Sequence, residues 1–383
     1  MKKILENCAE IIGLEQVESL INRFHTEGKT FTIKAGFDPT GADLHLGHTV
    51  LLEKLKQFQE NGAIVQLLIG DFTATIGDPT GKNKTRKVLD KETILKNAQT
   101  YQDQVFKILD KEKTNIVFNS EWLNDLGAIG MVELTTHFSV SRMLERNDFS
   151  NRFKNEESIS ISEFIYPLLQ GFDSVALKSD IEIGGTDQKF NLLMGRHLQR
   201  EYNIGKEQSV IMMPILEGTD GINKMSKSLN NFIGITESPK EIFGKTMSIS
   251  DELMIIFFKL LTNENIDEIK TMHPKKAKEK LASILVERFH SKEDAEMALK
   301  AFNAKDLSVA EDIPEMDLEA GIWICKALMD VCLSKSTSQA GRDIQANAVS
   351  IDKVKISDKK LNLEKGIFIL QLGKRKFVKV FVK

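Results

Sequence analysis

His45 and His48 stand three residues apart with Gly47 between them, and far downstream Lys224 and Lys227 stand three apart in Lys224-Met-Ser-Lys227-Ser228. Across the first turn of a helix, residues three apart share a face, and glycine removes the side chain that would separate them. Two imidazoles with no other charge beside them suit an anion that gains charge in a transition state, above all a phosphate. Two ammonium groups on a short hydroxyl-bearing loop suit the same task, because they can follow a pyrophosphate as it departs. A metal reading of the histidine pair would need carboxylate or thiol ligands that the sequence alone does not supply. Each cluster is short and unspecific alone; their conjunction in one chain makes phosphate chemistry specific.

The surrounding pattern supplies elements to hold them. Residues 31–35 alternate apolar and polar as a strand does, Gly36 ends the run, and Asp38-Pro39-Thr40-Gly41 is turn chemistry. Leu44, Leu46, Val50, Leu51, Leu55 and Phe58 then repeat at helical spacing, with Asp43 as the expected N-cap. Strand, turn and helix start place backbone N–H groups where an anion can meet them, so a nucleotide phosphate is expected here. Residues 1–30 read as helix. Residues 63–70 read as a buried parallel strand, followed by Ile76-Gly-Asp78-Pro, a basic loop with Lys82 and Arg86, a helix over 90–109 and a strand over 115–118. The apolar stretch 126–144 reads as helix, part core and part subunit contact. Ser160-x-x-Glu163 is a capping box opening the helix that carries Tyr166, Gln170 and Asp173. A short strand, Ile181-Glu-Ile183, leads through Gly184-Gly-Thr-Asp187-Gln188 to a helix ending near Tyr202, and residues 210–216 form the last strand. Such alternation predicts an α/β, doubly wound parallel sheet with ligands at the carboxyl ends of its strands. Residues 238–320 read as helices throughout, and 321–383 as two helices and short β segments.

At 383 residues, 41% hydrophobic and 28% charged, the chain has room for two or three folded domains, and no apolar run reaches bilayer length. The start lacks a signal-peptide core because Glu6, Glu10 and Glu15 interrupt it, and Cys8, Cys325 and Cys332 have no paired spacing. A reducing, cytoplasmic setting without a structural metal is expected. The net charge of −3 is uneven: residues 333–383 carry twelve Lys/Arg against four Asp/Glu, leaving −11 for the rest. A basic module on an acidic body fits a polyanion partner, though a solvated lysine surface fits the charge count equally well.

With Gly36-Phe-Asp38-Pro-Thr40…His45-Leu-Gly-His48, Ile76-Gly-Asp78-Pro, Tyr166-Pro-Leu-Leu-Gln170-Gly-Phe-Asp173, Gly184-Gly-Thr-Asp187-Gln188 and Lys224-Met-Ser-Lys-Ser in hand, the chain resembles the class I aminoacyl-tRNA synthetases. Within them it resembles the bacterial-type tyrosyl-tRNA synthetases, over nearly its whole length. The resemblance implies a Rossmann-like catalytic domain over 1–231, an α-helical anticodon-region domain over 232–320, and a linker helix with a small α+β S4-like RNA-binding domain over 321–383. It implies ATP with Mg²⁺, tyrosine and tRNA(Tyr) as partners, homodimerisation and no membrane. By position, Asp78, Tyr166 and Gln170 would hold the substrate ammonium, and Asp173 the phenolic hydroxyl. Asp38 would lie near the amino acid and the adenosine, Gly36 and Gly47 against the nucleotide, Thr40 and His45 near the γ-phosphate, and His48 near the ribose and phosphates. Asp187 and Gln188 would face the ribose and the substrate carboxyl, while Lys82, Arg86, Lys224 and Lys227 clamp pyrophosphate.

The chain departs from that pattern at Lys34, where tyrosyl enzymes often carry a tyrosine that shares recognition of the hydroxyl, and at Lys189-Phe190, where many carry tryptophan and glycine. Lys34 either pairs with Asp173 or lines the pocket. Two alternatives stay open at this point, a tryptophanyl enzyme and a non-catalytic synthetase-like RNA-binding protein.

Overall fold

The computed structural model describes residues 2–39, 41–79, 90–305, 314–352, 354–373 and 376–383; Thr40, Lys82 and Arg86 lie outside the described residues. The chain divides into two compact units, Met1–Leu299 and Lys300–Lys383.

In the first unit, short apolar runs form β1 (Glu10–Ile12), β2 (Phe31–Phe37), β3 (Ala63–Ile69), β4 (Thr114–Phe118), β5 (Ile181–Gly185) and β6 (Ser209–Met213), in the order β1-β6-β5-β2-β3-β4. Strands β2 to β6 are parallel, and β1 closes the edge antiparallel to β6. This is the expected doubly wound sheet. Its order reverses between β2 and β5, so the crevice outside their carboxyl ends is the topological switch point at which ligands of such sheets bind. β1 was not expected: it interrupts the helix read over 1–30, because pairing with β6 outweighs the local helical period. Gly13, at φ 80, then turns the chain into the helix Leu14–Glu27.

Three helices carry or directly follow candidate site residues: α1 (Leu46–Gln59), α2 (Ile161–Leu177) and α3 (Lys189–Glu201). The start of α2 is fixed as the sequence predicts, since the Ser160 N–H donates to Glu163 Oε1 at 2.9 Å. What the sequence did not reveal is that Arg152 grips the same carboxylate with two bonds, at 2.5 and 3.0 Å. Burial opposes the charged form of Glu163, but the Arg152 and Ser160 donors outweigh it and hold its pKa below the ordinary value. The sign follows: the stability this carboxylate adds is present above the unfolded-state pKa and is lost as pH falls through the folded one. Glu163→Ala strands a buried guanidinium and is expected to cost about 3–5 kcal/mol. Thermal denaturation at neutral pH would read it, and an unchanged melting temperature would contradict it.

Beyond β6 the first unit continues as helices from Pro239–Ser248 to Pro274–Phe289, capped by Ser238, Ser250, Asn265 and His273. In the second unit Val354–Lys355, Val349–Ile351, Gly366–Leu372, Lys376–Val382 and Glu315–Leu318 form a five-stranded sheet in that order. Ile324–Asp330 and Thr337–Gln345 are helical, with Ile324, Leu328 and Ile344 in the core beside Val349, Leu370 and Val380. Glu315–Leu318 is a strand where helix was expected to run to about 320. It pairs in parallel with residues 379–382, a partner no local pattern announces.

Candidate active site

At the carboxyl end of β2 the chain passes Asp38 and enters α1 two residues later than expected. The N-cap is His45, and Asp43 instead accepts from Thr236 Oγ1 at 3.2 Å. The histidines explain the displacement. His45 Nδ1 accepts the Gly47 N–H and His48 Nδ1 accepts the His45 N–H, each at 3.2 Å, so the rings satisfy donors that an aspartate cap would have taken. A ring nitrogen that accepts carries no proton, so each neutral ring holds its proton on Nε2. The ring centroids lie 3.9 Å apart. A Cβ at Gly47 would sit 2.9 Å from His45 Cε1, which is why that position cannot carry a side chain without moving the ring.

Burial, His48 and the charges of Lys227 and Lys224 push the pKa of His45 down to about 2. Burial and the same two lysines bring His48 to about 4. Both rings are therefore neutral N–H donors at neutral pH. The lysines act on them because the chain around residues 225–235 is laced to the start of α1: the Leu46 N–H donates to Ile233 O at 3.0 Å and the Ile235 N–H to Leu44 O at 3.1 Å. A Cβ at Gly41 would lie 3.0 Å from Lys227 Nζ, so that ammonium reaches over the turn before α1. Burial lowers the Lys227 pKa, with Asp43 acting against it. Lys224 pairs with Asp187 at 2.5 Å instead; the pair is half-exposed and of the kind worth at most about 1 kcal/mol. Gly36 is exposed at the end of β2.

Across the switch point the acidic and amide residues gather. Tyr166 Oη donates to Asp38 Oδ2 at 2.9 Å, Thr73 Oγ1 to Asp38 Oδ1 at 2.8 Å, and Gln188 Nε2 to Asp78 Oδ2 at 2.8 Å. Burial and the Asp38 and Asp78 carboxylates raise the Tyr166 pKa well above the ordinary phenol value, so it remains a donor. Gln170 is half-buried one turn before Asp173 on α2, and Asp173 is 1% exposed. Asp173 accepts from Trp122 Nε1 at 2.8 Å and from Asn119 Nδ2 at 3.4 Å; burial nonetheless lifts its pKa to about 7. Lys34 does not bond Asp173 directly. It pairs with Glu182 at 2.9 Å.

Sequence reasoning missed Asn119 and Trp122, although Asn119 directly follows β4, where the strand-end rule would have flagged it. It also missed three supports on the helix Lys91–Val105. Asn97 Nδ2 donates to Pro39 O at 2.9 Å, Thr100 Oγ1 donates to Ala42 O, and Gln104 both donates to Ala42 O and accepts the Leu44 N–H. These side chains clamp the loop between β2 and α1 through its backbone. Among the described residues, no group of three or more His, Cys, Asp or Glu is placed to hold a metal ion.

One end of the site thus offers neutral N–H donors and ammonium groups to an anion, and the other offers carboxylates and amides to a cation and a hydroxyl. Comparison with known proteins fits that division. Residues 26–305 match the family described as tRNA synthetases class I (W and Y). The tyrosine–tRNA ligase of Campylobacter jejuni is 58% identical over all of this chain and 99% of its own length. That of Wolinella succinogenes is 56% identical over all of this chain and 97% of its own. Among solved structures, the tyrosyl-tRNA synthetase of Archaeoglobus fulgidus, complexed with L-tyrosine, superposes with a TM-score of 0.60 at 23% identity, covering 77% of this chain and 97% of that one, a likeness of fold.

Proposed function

This chain belongs to the class I tRNA synthetases of the tryptophan and tyrosine branch, and from that premise we infer that it is the tyrosine-specific ligase of the pair. It activates tyrosine with ATP to tyrosyl-adenylate and passes the acyl group to the 3′ end of its tRNA. The substrate carboxylate attacks the α-phosphorus in line, the bond to the β-phosphate oxygen breaks, and pyrophosphate leaves; a terminal ribose hydroxyl then attacks the adenylate carbonyl and loses its proton, the bond from that carbon to the phosphate oxygen breaks, and AMP leaves. The first step needs positioning and cancellation of charge more than covalent help. We assign His45 and His48 to donate Nε2–H bonds to the phosphates, and Lys224 and Lys227, with Lys82 and Arg86, to hold the departing pyrophosphate. Lys224 must leave Asp187 to do so, which its weak exposed pair permits, and Asp187 is then released toward the ribose. Gly36, Asp38, Thr40 and Gly47 line the nucleotide; Asp38, Asp78, Tyr166, Gln170 and Gln188 hold the amino acid; Asp173 accepts its hydroxyl. Mg²⁺ enters with ATP as part of the substrate.

The observation that carries this reading is that the segment following Lys224 and Lys227 is hydrogen-bonded to the start of α1, where the two imidazoles stand, with Lys227 Nζ reaching the turn before it. ATP–pyrophosphate exchange across the amino acids tests it: exchange with tyrosine is expected, and exchange with tryptophan alone, or with none, would overturn it.

The second unit serves tRNA in this reading. Deleting it is expected to leave tyrosine-dependent exchange largely intact while lowering tRNA charging at least roughly ten-fold at low salt, a deficit that narrows as rising salt weakens the intact chain's own phosphate contacts. Equal loss of both would make the unit structural. We also propose that the chain works in the cytoplasm, where its tRNA is, and pairs with a second copy through residues 126–144, on which Ile129, Val132 and Val140 are 86%, 66% and 62% exposed. Val132→Glu should convert a dimer to a monomer in sedimentation; a natural chain that is already monomeric would refute the interface. Among the described residues no helix is long and apolar enough to cross a membrane.

A further inference from the structure

Lys34 and Glu182, each 1% exposed, are a cation and an anion buried inside the central strands of the sheet. The parallel register of β2 against β5 sets them side by side, with Nζ 2.9 Å from Oε1. Lys34 Nζ also donates to Ser174 Oγ at 2.7 Å and to Gln170 O at 3.4 Å. Ser174 Oγ donates to Glu182 Oε2 at 3.0 Å, and Gln208 Nε2 donates to the same oxygen. A Cβ at Gly195 would stand 2.5 Å from Ser174 Oγ and 2.9 Å from Glu182 Oε2, so the backbone of α3 closes the cluster. Stability is a weak reason for such a pair, since well-packed apolar residues often do as well or better. What the pair does is hold α2 at Gln170 and Ser174, which bracket Asp173.

We propose that Lys34 and Glu182 are positioning residues that determine specificity for the amino-acid hydroxyl: through Gln170 and Ser174 they pin the turn of α2 that carries Asp173. This rests on the reading of Asp173 as the hydroxyl's acceptor. Among the described residues, the charged and titratable groups that act on Asp173 include Lys34 from β2, Glu182 from β5 and Tyr166 from α2 itself, and the neutral donors Trp122 and Asn119 come from the segment after β4. Burial raises Asp173, Lys34 draws it back down, and Glu182 pushes it up. Removing one member of the pair therefore leaves the other acting alone, and the two removals must have opposite effects. A structural role predicts the same effect from both.

The experiment measures the ratio of kcat/KM for tyrosine to that for phenylalanine in ATP–pyrophosphate exchange, as a function of pH, so that titrations common to both substrates cancel. In the natural chain the ratio should rise with pH through a midpoint near 7. Lys34→Met should move that midpoint up and Glu182→Gln should move it down, each by roughly one pH unit. Asp173→Asn should make the ratio flat. Midpoints that stay put or move together, beside a flat Asp173→Asn, would overturn the role of the pair. A midpoint that survives in Asp173→Asn would instead remove Asp173 from the hydroxyl site, and this proposal with it. If Lys34→Met does not fold, the direction of the Glu182→Gln shift decides the matter alone.

Discussion

Replacing His45 by alanine is expected to lower kcat for tyrosine-dependent ATP–pyrophosphate exchange by about 10²–10³, or 2.7–4 kcal/mol, the usual loss for one preorganised donor at a centre of developing charge. KM for tyrosine should change little, because the role proposed for His45 is at the phosphates and it does not bond the groups around Asp173. Alanine also removes a helix cap, whose loss costs roughly 1 kcal/mol of stability. His45→Asn separates the two effects. Asparagine is among the best N-cap residues, so its carbonyl oxygen can take the Gly47 N–H, but its amide ends short of the position of Nε2. The asparagine variant should therefore melt like the natural chain and react like the alanine variant. A rate close to the natural one in either variant would take His45 out of the transition state.

The pH dependence gives an independent check on the same ring pair. With pKa values near 2 and 4, His45 and His48 keep their Nε2 protons and no charge across the physiological range. Their titration contributes no step to the exchange rate near pH 6.5, where free imidazoles would. The stability effect has a fixed sign: the folded pKa values are depressed, so the contribution is whole above about 6.5 and is lost as pH falls toward the folded values.

What the sequence disclosed of this arrangement was whatever is encoded locally. The strand into Gly36, the turn after it and the helical stripe of α1 are short-range patterns, and so is the pairing of Ser160 with Glu163. The histidines and lysines were legible because their spacing states their chemistry. Long-range choices were not. Glu10–Ile12 is a strand only because β6 lies beside it, and Glu315–Leu318 only because residues 379–382 do. The helix cap was misplaced because a histidine can cap through Nδ1, which the usual preference for aspartate over histidine hides. Lys34 and Glu182 each carried a readable signal, a charge inside a run that should be buried, which requires a partner. Which partner it would be depended on β5 pairing with β2, and no single-strand pattern decides that. The Asn97, Thr100 and Gln104 supports bond backbone carbonyls and N–H groups, so the identity of the residues they hold leaves no trace in sequence.

The second large effect belongs to Asp173. Asp173→Ala is expected to weaken tyrosine activation and to remove most of the discrimination against phenylalanine, which in the tyrosine enzymes, themselves the type case of rejection by an unpaired polar site, is about 10⁵-fold. Under the proposed assignment, the surroundings of this carboxylate account for the effect. A carboxylate offers about four lone-pair sites, and Trp122 and Asn119 take two of them, which fixes the group and leaves acceptor capacity for a phenolic O–H. Phenylalanine would fill the same space with a ring edge that donates nothing, and a carboxyl 1% exposed has no water to turn to. Alanine removes that penalty for phenylalanine and the bond to tyrosine together, so the two specificity constants should approach one another from both sides. A loss of activity with both substrates at an unchanged ratio would mean that Asp173 only holds Trp122 and Asn119 in place, and the hydroxyl would then have to be read elsewhere.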